Sequence, residues 1–272
     1  MTVRPRLGQH FLADPAILGR IADALEPAPG DVVIEIGPGR GSLTDVLLAR
    51  GLTVIAIEKD RRLAHECGMR NAECGIDRLS VVEADALKVD WHSLLDARPD
   101  TPHSAFRIPH FKVVGNIPYS ITSPLLEKAL TPPLPERIVF LVQDEVARRV
   151  AAAPGSKTYG ALSVGVQALC RVEKLFTVAP GAFRPPPKVR SALLRLTPRP
   201  EPLVRPDEVA AFRAFVTACF SRRRKQLVNA VPGGGTTREA LRALGFDPAA
   251  RPETLAPPEF VRLLRWSREN VK

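Results

Sequence analysis

The sequence predicts an α/β protein: a Rossmann-like, mostly parallel sheet covered by helices on both faces, followed by a small helical domain. Three observations carry the prediction. Short apolar runs alternate with stretches of helical spacing through most of the chain. A glycine-rich turn, Glu35-Ile36-Gly37-Pro38-Gly39-Arg40-Gly41, ends one apolar run and opens a helix. Beyond Thr197–Pro206, which holds four prolines in ten residues, only helical spacing remains. Strands that are apolar throughout are those buried on both faces, as in parallel sheets.

The elements follow in order. Asp14-Pro15 predicts a helix start, a capping side chain before proline at the first helical position. Ile17, Leu18, Ile21 and Leu25 give that helix one apolar face, and Pro27, Pro29 and Gly30 end it. Val32–Ile36 is the first strand of the alternation, and Ser42–Arg50 is a helix with Leu43, Val46 and Leu47 inward. Thr53–Ile57 is the second strand, with a charged helix from Asp60; Leu79–Val82 and Phe111–Val114 are the third and fourth. Pro124–Leu130 reads as helix and Ile138–Val142 as the fifth strand. Arg98–His110, polar and proline-containing, reads as a surface loop. Leu162–Leu169 fits helix or strand, and Leu175–Val178 and Ala192–Leu196 are strands flanking the proline-rich Phe183–Lys188. Past the linker, helices are predicted at Val209–Phe220, Arg222–Val231, Thr237–Leu244 and Pro258–Trp266. The expected division is a ligand-binding domain over 1–198 and a helical domain over 199–272.

Charge narrows the partners. The 272-residue chain carries a formal net charge of +10, which favours an anionic partner, nucleic acid before an acidic membrane surface. From Arg199 to Lys272 fourteen Lys and Arg face eight Asp and Glu, so the last quarter holds +6 of that surplus. Cys67, Cys74, Cys170 and Cys219 show no paired spacing and no nearby histidine pair, which argues against a metal site or a disulfide framework. Met1–Gln9 is polar and basic, unlike a secretory signal, and no apolar run reaches the roughly 18–20 residues of a membrane span. A cytoplasmic location is expected.

Three stretches carry chemistry. The glycine turn lets main chain approach a ligand closely, and the helix it opens offers free N–H groups. Glu58, 21 residues after Gly37 and at the end of the next strand, can accept from both hydroxyls of a ribose. Gly37, Gly39 and Glu58 therefore fit a nucleotide-like ligand, and NAD and S-adenosylmethionine both satisfy them. Asp85, just past the third strand, could accept from an adenine amino group, but alone it reads as a solvated loop residue. Asn116-Ile117-Pro118-Tyr119 is the most specific signal. It follows the fourth strand, at the carboxyl edge where open α/β sheets bind ligands. An aryl amine is a poor nucleophile because its lone pair is delocalised into the ring. The Asn116 side-chain oxygen and the Ile117 carbonyl can accept its two N–H groups and so free that pair. Pro118 restricts the residue before it, and Tyr119 offers a face for a flipped base.

These motifs and others in register resemble the ribosomal RNA adenine N6-dimethyltransferases, above all those of the bacterial small subunit. The matching stretches are Gly8-Gln9-His10-Phe11-Leu12, Glu35–Gly39, Asp85-Ala86, Asn116–Tyr119, Gln143-Asp144-Glu145-Val146, Tyr159-Gly160, Phe183-Arg184-Pro185-Pro186-Pro187-Lys188-Val189 and Arg223-Arg224-Lys225, in order over nearly the whole chain. The resemblance implies an S-adenosylmethionine-dependent methyltransferase fold, with the catalytic domain over 1–198 and an RNA-binding domain over 199–272. It implies dimethylation of N6 on two adjacent adenines in a 3′-terminal hairpin of small-subunit rRNA, on assembly intermediates, by a monomer. It places His10 and Leu12 over the cofactor, Gly37 and Gly39 against it, Glu58 on the ribose and Asp85 on the adenine. Asn116 faces both cofactor and amine, and Phe183 is a second aromatic wall for the base; by themselves His10 reads as a surface residue and Phe183 as core.

Two departures stand out: Gln143-Asp144 replaces a common Gln-Lys, and the 98–110 stretch is longer than usual. Arg222, Arg223, Arg224 and Lys225 are expected to begin a helix, with some of the four on RNA phosphates. Related large-subunit enzymes of the macrolide-resistance type share the fold and the Asn116–Tyr119 kind of motif. The triple proline and the Arg-Arg-Lys run favour the small-subunit branch. A ribosome-assembly factor acting mainly by binding is the alternative of another class. A dehydrogenase lacks a residue set to handle hydride.

Overall fold

The computed structural model describes residues 10–73, 77–96, 110–222, 224–233 and 236–270. The expected loop at 98–110, apart from His110, and Gly8, Gln9, Cys74 and Arg223 lie outside them. Two compact units are present: Met1–Ala147 with Glu173–Thr197, and Arg148–Val172 with Pro198–Lys272. The break at Thr197/Pro198 adjoins the boundary expected at 198/199, but Arg148–Val172 groups with the second unit rather than the first.

Among the described residues, the first unit is built on a seven-stranded sheet. Its elements run β1 (Phe11–Leu12), α1 (Pro15–Ala24), β2 (Val32–Ile36), α2 (Ser42–Ala49), β3 (Thr53–Glu58), α3 (Arg61–Glu73), β4 (Leu79–Glu83), α4 (Trp91–Asp96), β5 (Phe111–Asn116), α5 (Thr122–Ala129) and β6 (Arg137–Gln143). After α6 (Asp144–Val150) and α7 (Ala161–Gln167), the chain adds β7 (Cys170–Val178), β8 (Phe183–Arg184) and β9 (Ser191–Pro198). Among the described residues the main sheet has the order β4-β3-β2-β5-β6-β9-β7. β4, β3, β2, β5 and β6 pair in parallel, and β9 runs antiparallel to β6. The predicted strand alternation and the fold class are therefore present. The chain winds outward from β2 through β3 to β4, then returns to the other side of β2 as β5. That reversal opens a crevice at the carboxyl ends of β2 and β5.

Local chemistry sets these elements. The Asp14 carboxylate accepts from Ala16 N–H at 2.9 Å and Ile17 N–H at 3.2 Å, with Pro15 at the first helical position, so α1 starts where its cap is. The Asp60 carboxylate caps α3 by accepting from Arg62 and Leu63 N–H. One face of the sheet offers Val33, Val54, Ala56, Val114, Val139, Leu141 and Leu193 to a cluster with Leu18, Ile21 and Leu25 of the α1 segment and Leu43, Leu47 and Leu48 of α2. The alternate positions, Ile34, Ile55, Val113 and Phe140 among them, are buried on the other face. Burial of a side chain of this size stabilises the fold by about 1.5–3 kcal/mol. Gly115 sits where Ile36 pairs with it across β2 and β5, and a Cβ there would lie 2.7 Å from the Ile36 carbonyl oxygen. Only glycine lets these two strand ends approach so closely, and they frame the crevice.

Asp144, expected to reduce positive charge on an RNA edge, is buried and paired with Lys174 at 2.5 Å, so its charge is neutralised inside the fold.

The second unit is helical. α7 settles the ambiguous Leu162–Leu169 stretch as helix; the Ser163 hydroxyl accepts from Gly160 N–H at 3.1 Å and donates to the Arg149 carbonyl at 2.5 Å. α8 (Val209–Ser221), α9 (Leu227–Ala230), α10 (Arg238–Ala243) and α11 (Pro257–Asn270) complete it. The buried Tyr159 donates to the Leu255 carbonyl at 2.9 Å, and its ring meets Phe220 edge-on, which in turn stacks on Phe260. The buried Glu208 accepts from Arg265 at 3.0 Å and from Arg205 N–H at 3.2 Å.

One expectation is corrected here. The basic run does not open a helix at Arg222: that residue caps the C-terminus of α8, and Lys225 N–H turns back to the Arg222 carbonyl at 2.8 Å. The apolar stripe of α8, Val209, Phe212, Phe215, Val216 and Cys219, stops at Cys219. No residue from 222 to 226 is apolar, so nothing extends it until Leu227 is buried at the start of α9.

Candidate active site

The crevice at the ends of β2 and β5 is a cavity of about 900 Å³, counting the space at its mouth, and lies wholly in the first unit. His10, Leu12, Gly37, Gly39, Glu58, Asn116, Ile117, Pro118 and Tyr119, all singled out from the sequence, line it. Residues 106 apart in sequence thus share one wall.

Glu58 ends β3 and is 7% exposed. One carboxylate oxygen accepts from Gly39 N–H at 3.1 Å and the other from Asp60 N–H at 2.8 Å. An ionised carboxylate has about four acceptor positions, so this anchoring leaves roughly two for a ligand. The glycine turn is fixed in return. Gly37 N–H donates to the Ile57 carbonyl at 2.9 Å, and Gly39 has φ +58° with the Phe11 ring where its Cβ would be, 2.9 Å away.

Sequence reasoning assigned no role to Glu35, yet it lines the cavity at 1% exposure. Burial pushes its carboxyl up to about 7, helped by the nearby Asp45 and Glu58, while the Thr44 hydroxyl, donating at 2.6 Å, opposes the shift. The available signal was an acid inside an otherwise apolar strand. Phe11, Arg40, Ser42 and Leu63 also line the cavity and were not singled out. The Arg40 guanidinium lies 5.1 Å from the Phe11 ring centroid.

The Asn116–Tyr119 turn is held from several sides. Asn116 ends β5 half-buried, and its side-chain amide donates to the His10 carbonyl at 2.8 Å. Ile117 is buried, with its N–H on the Leu141 carbonyl of β6 at 3.0 Å. The Pro118 carbonyl accepts from Ile121 N–H at 3.1 Å, which closes the turn. The Tyr119 hydroxyl bonds the Ser191 hydroxyl of β9 at 2.8 Å, and its half-buried ring lies 6.2 Å from His10, tilted by 33°.

Two expected residues are placed elsewhere. Phe183 is 1% exposed and packs in the core cluster, paired with Leu12 across β1 and β8, so in this structure it is not on the cavity wall. Asp85 is also off the wall. It is paired with Lys59 at 2.9 Å and accepts from Leu87 N–H at 3.0 Å. The Lys59 hydrogen bond, and then that of Leu87, hold its carboxyl below the usual range. In the second unit Arg222, Arg224 and Lys225 are exposed.

Comparison with known proteins bears on this arrangement. Residues 1–267 match the family described as ribosomal RNA adenine dimethylase. The ribosomal RNA small subunit methyltransferase A of Hahella chejuensis is 42% identical over 261 residues, 96% of this chain and 91% of the relative. Its namesake in Acidithiobacillus ferrooxidans is 44% identical over 261 residues, covering 96% and 92%. Among solved structures, a dimethyladenosine transferase from Plasmodium falciparum superposes with a TM-score of 0.79 at 29% identity, over 96% of this chain and 98% of that one. The 23S rRNA methyltransferase ErmE follows with 0.67 at 30% identity, over 94% and 98%. With the family match running over residues 1–267 and relatives at 42–44% identity over 96% of its length, the chain belongs to the ribosomal RNA adenine dimethylase family.

Proposed function

We propose that the chain transfers methyl groups from S-adenosylmethionine to N6 of adenines in small-subunit rRNA, dimethylating two adjacent adenines of a 3′-terminal hairpin on assembly intermediates. The observation that carries the reading is the single cavity onto which both Glu58 and Asn116–Tyr119 open. Small-subunit methyltransferases among the similar proteins support the choice of subunit.

The cavity suits the cofactor. Glu58 keeps acceptor capacity for two ribose hydroxyls, the Gly37–Gly39 turn presents main chain, and His10 and Leu12 line the same cavity. S-adenosylmethionine, when bound, supplies an electrophilic methyl group on a sulfonium sulfur. The protein's part is to ready the nitrogen. With the Asn116 amide nitrogen committed to the His10 carbonyl, its oxygen is left to accept one N–H of the target amine, and the Ile117 carbonyl takes the other. Those acceptors draw the lone pair out of the ring and meet the positive charge that grows on nitrogen as the N–C bond forms. The sulfur keeps the electron pair of the broken C–S bond, and the nitrogen then releases a proton to solvent. Tyr119, tethered through Ser191, offers the stacking face. The monomethylated amine retains one N–H, so a second transfer follows after rotation about the C–N bond.

Arg222, Arg224 and Lys225 in the second unit are proposed to bind phosphates. Arg223 and Asp85 keep the roles that the family resemblance gives them, RNA backbone and cofactor adenine. The chain acts as a monomer in the cytoplasm, where its substrate is assembled; among the described residues no helix is long and apolar enough to cross a membrane. Labelled cofactor incubated with unmodified small and large subunits, with the product mapped by primer extension, tests the reading. Label in adjacent small-subunit adenines is expected. Label in the large subunit assigns the macrolide-resistance branch, and tight binding without label assigns an assembly factor.

A further inference from the structure

Residues His10 to Ala13 form a strap along the cavity wall. Phe11 pairs with Arg184 and Leu12 with Phe183, and Ala13 N–H donates to the Ala182 carbonyl at 3.0 Å. The ladder starts at Phe11, and the His10 ring carries the attachment one residue further: its Nδ1 lies 2.8 Å from the Pro185 carbonyl oxygen. The main-chain carbonyl of the same residue receives the Asn116 amide at 2.8 Å.

Both contacts end on carbonyl oxygens, which only accept. The Asn116 atom facing His10 is therefore Nδ2, and the His10 nitrogen facing Pro185 carries a proton. A reversed Asn116 amide would set two oxygens against each other. The strap thus decides which end of the amide is offered to the cavity.

We propose that His10 is a positioning residue for methyl transfer. Its Nδ1–H bond to Pro185 pins its own carbonyl on Asn116 Nδ2, and that bond turns the Asn116 oxygen into the acceptor for the target amine. The inference rests on the reading that Asn116 accepts from that amine. Loosening the strap leaves Asn116 in place but frees its amide to rotate, so a loss remains in the transfer step when the cofactor site is saturated.

The test compares His10→Phe, which keeps a ring without the donor, with His10→Asn, whose amide nitrogen stands two bonds from Cβ as Nδ1 does. His10→Gln, with its amide one bond further out, replaces the Phe variant if that protein does not fold. Two readouts are taken. The first is the side-chain amide signal of Asn116 in protein labelled with [15N]asparagine; the chain has four asparagines, and Asn116→Ala assigns the signal. The second is the single-turnover methyl-transfer rate at saturating S-adenosylmethionine, the calorimetric Kd setting the concentration for each variant.

In His10→Phe the Asn116 signal should shift and the rate at saturating cofactor fall about tenfold or more, within what loose placement of a reacting group costs. His10→Asn should restore the rate to within about threefold of the wild type. An unshifted Asn116 signal, a wild-type rate in His10→Phe, or equal losses in both variants overturns the proposal. A wild-type protein inactive on both subunits overturns the proposed activity instead, and the amide signal then still decides whether His10 holds Asn116.

Discussion

Glu58→Gln tests the proposed ribose-binding role of this carboxylate with little change of volume. Both oxygens of Glu58 already accept a main-chain N–H, from Gly39 at 3.1 Å and Asp60 at 2.8 Å. A glutamine must turn its NH2 group toward one of those donors, so one anchoring bond is lost whichever way it faces. Of the two positions left for the ribose, one becomes an N–H that can only donate and the other, on the amide oxygen, loses its charge. Hydrogen bonds to charged groups contribute about 1.5–3 kcal/mol against about 0.5–1.5 for neutral ones, so two ribose bonds weaken by roughly 1 kcal/mol each. With the disturbed anchor, the total comes to about 2–3 kcal/mol, a rise in Kd of roughly 30- to 150-fold at 1.4 kcal/mol per tenfold. Isothermal titration calorimetry with S-adenosylmethionine or its demethylated product reads the effect directly, and NAD should give no comparable binding. A Glu58→Gln Kd within about twofold of the wild type would refute the assignment, as would NAD binding as tightly as the methyl donor.

Three further outcomes follow from other parts of the molecule. Asn116→Ala should slow single-turnover transfer by about two to three orders of magnitude, the cost of removing one preorganised partner, with RNA affinity nearly unchanged; near-normal dimethylation would displace the catalytic centre from β5. Replacing Arg222, Arg224 and Lys225 by Ala should flatten the salt dependence of RNA binding by roughly 0.7–0.9 for each phosphate no longer neutralised. Cofactor affinity should not change, and an unaltered slope would assign the run to solubility. Glu35 supplies a pH test. Its folded pKa of about 7 stands above the ordinary 4.5, so the unfolded chain gives up its proton first and folding stability falls as pH rises from 4.5 to 7. Glu35→Gln lacks that titration and should gain roughly 3 kcal/mol on the wild type across the window, read by denaturant unfolding at both ends. A constant difference between the two proteins would mean that Glu35 does not titrate there.

The central strands were legible because each is a short apolar run between turn residues, and burial on both faces leaves no other use for such a run. The cavity was legible through types that need special backbone, Gly37 and Gly39, and through a carboxylate and an amide at strand ends, Glu58 and Asn116. What failed to show was pairing across distance. Lys59 on Asp85, Lys174 on Asp144 and the His10 carbonyl on Asn116 join residues that carry no mark of each other in sequence. Leu162–Leu169 stayed ambiguous because its apolar positions fit both periods, and α7 is decided by its Gly160–Ser163 cap. Arg222–Lys225 was read as helix from the residues around it, although no apolar side chain there extends the stripe of α8. Phe183 kept the burial that its own apolarity suggests; the wall role came from the family resemblance.

The central claim, that one cavity brings a ribose-held methyl donor to an amine gripped by Asn116 and Ile117, is tested most directly by mass spectrometry. Unmodified small subunits are treated with the protein and S-adenosylmethionine carrying a deuterated methyl group, and the rRNA is digested to nucleosides. N6,N6-dimethyladenosine with label in both methyl groups is expected, formed through a monomethyl intermediate and lost with Asn116→Ala. Label on another atom of adenine, on another base, or undiminished in Asn116→Ala would contradict it.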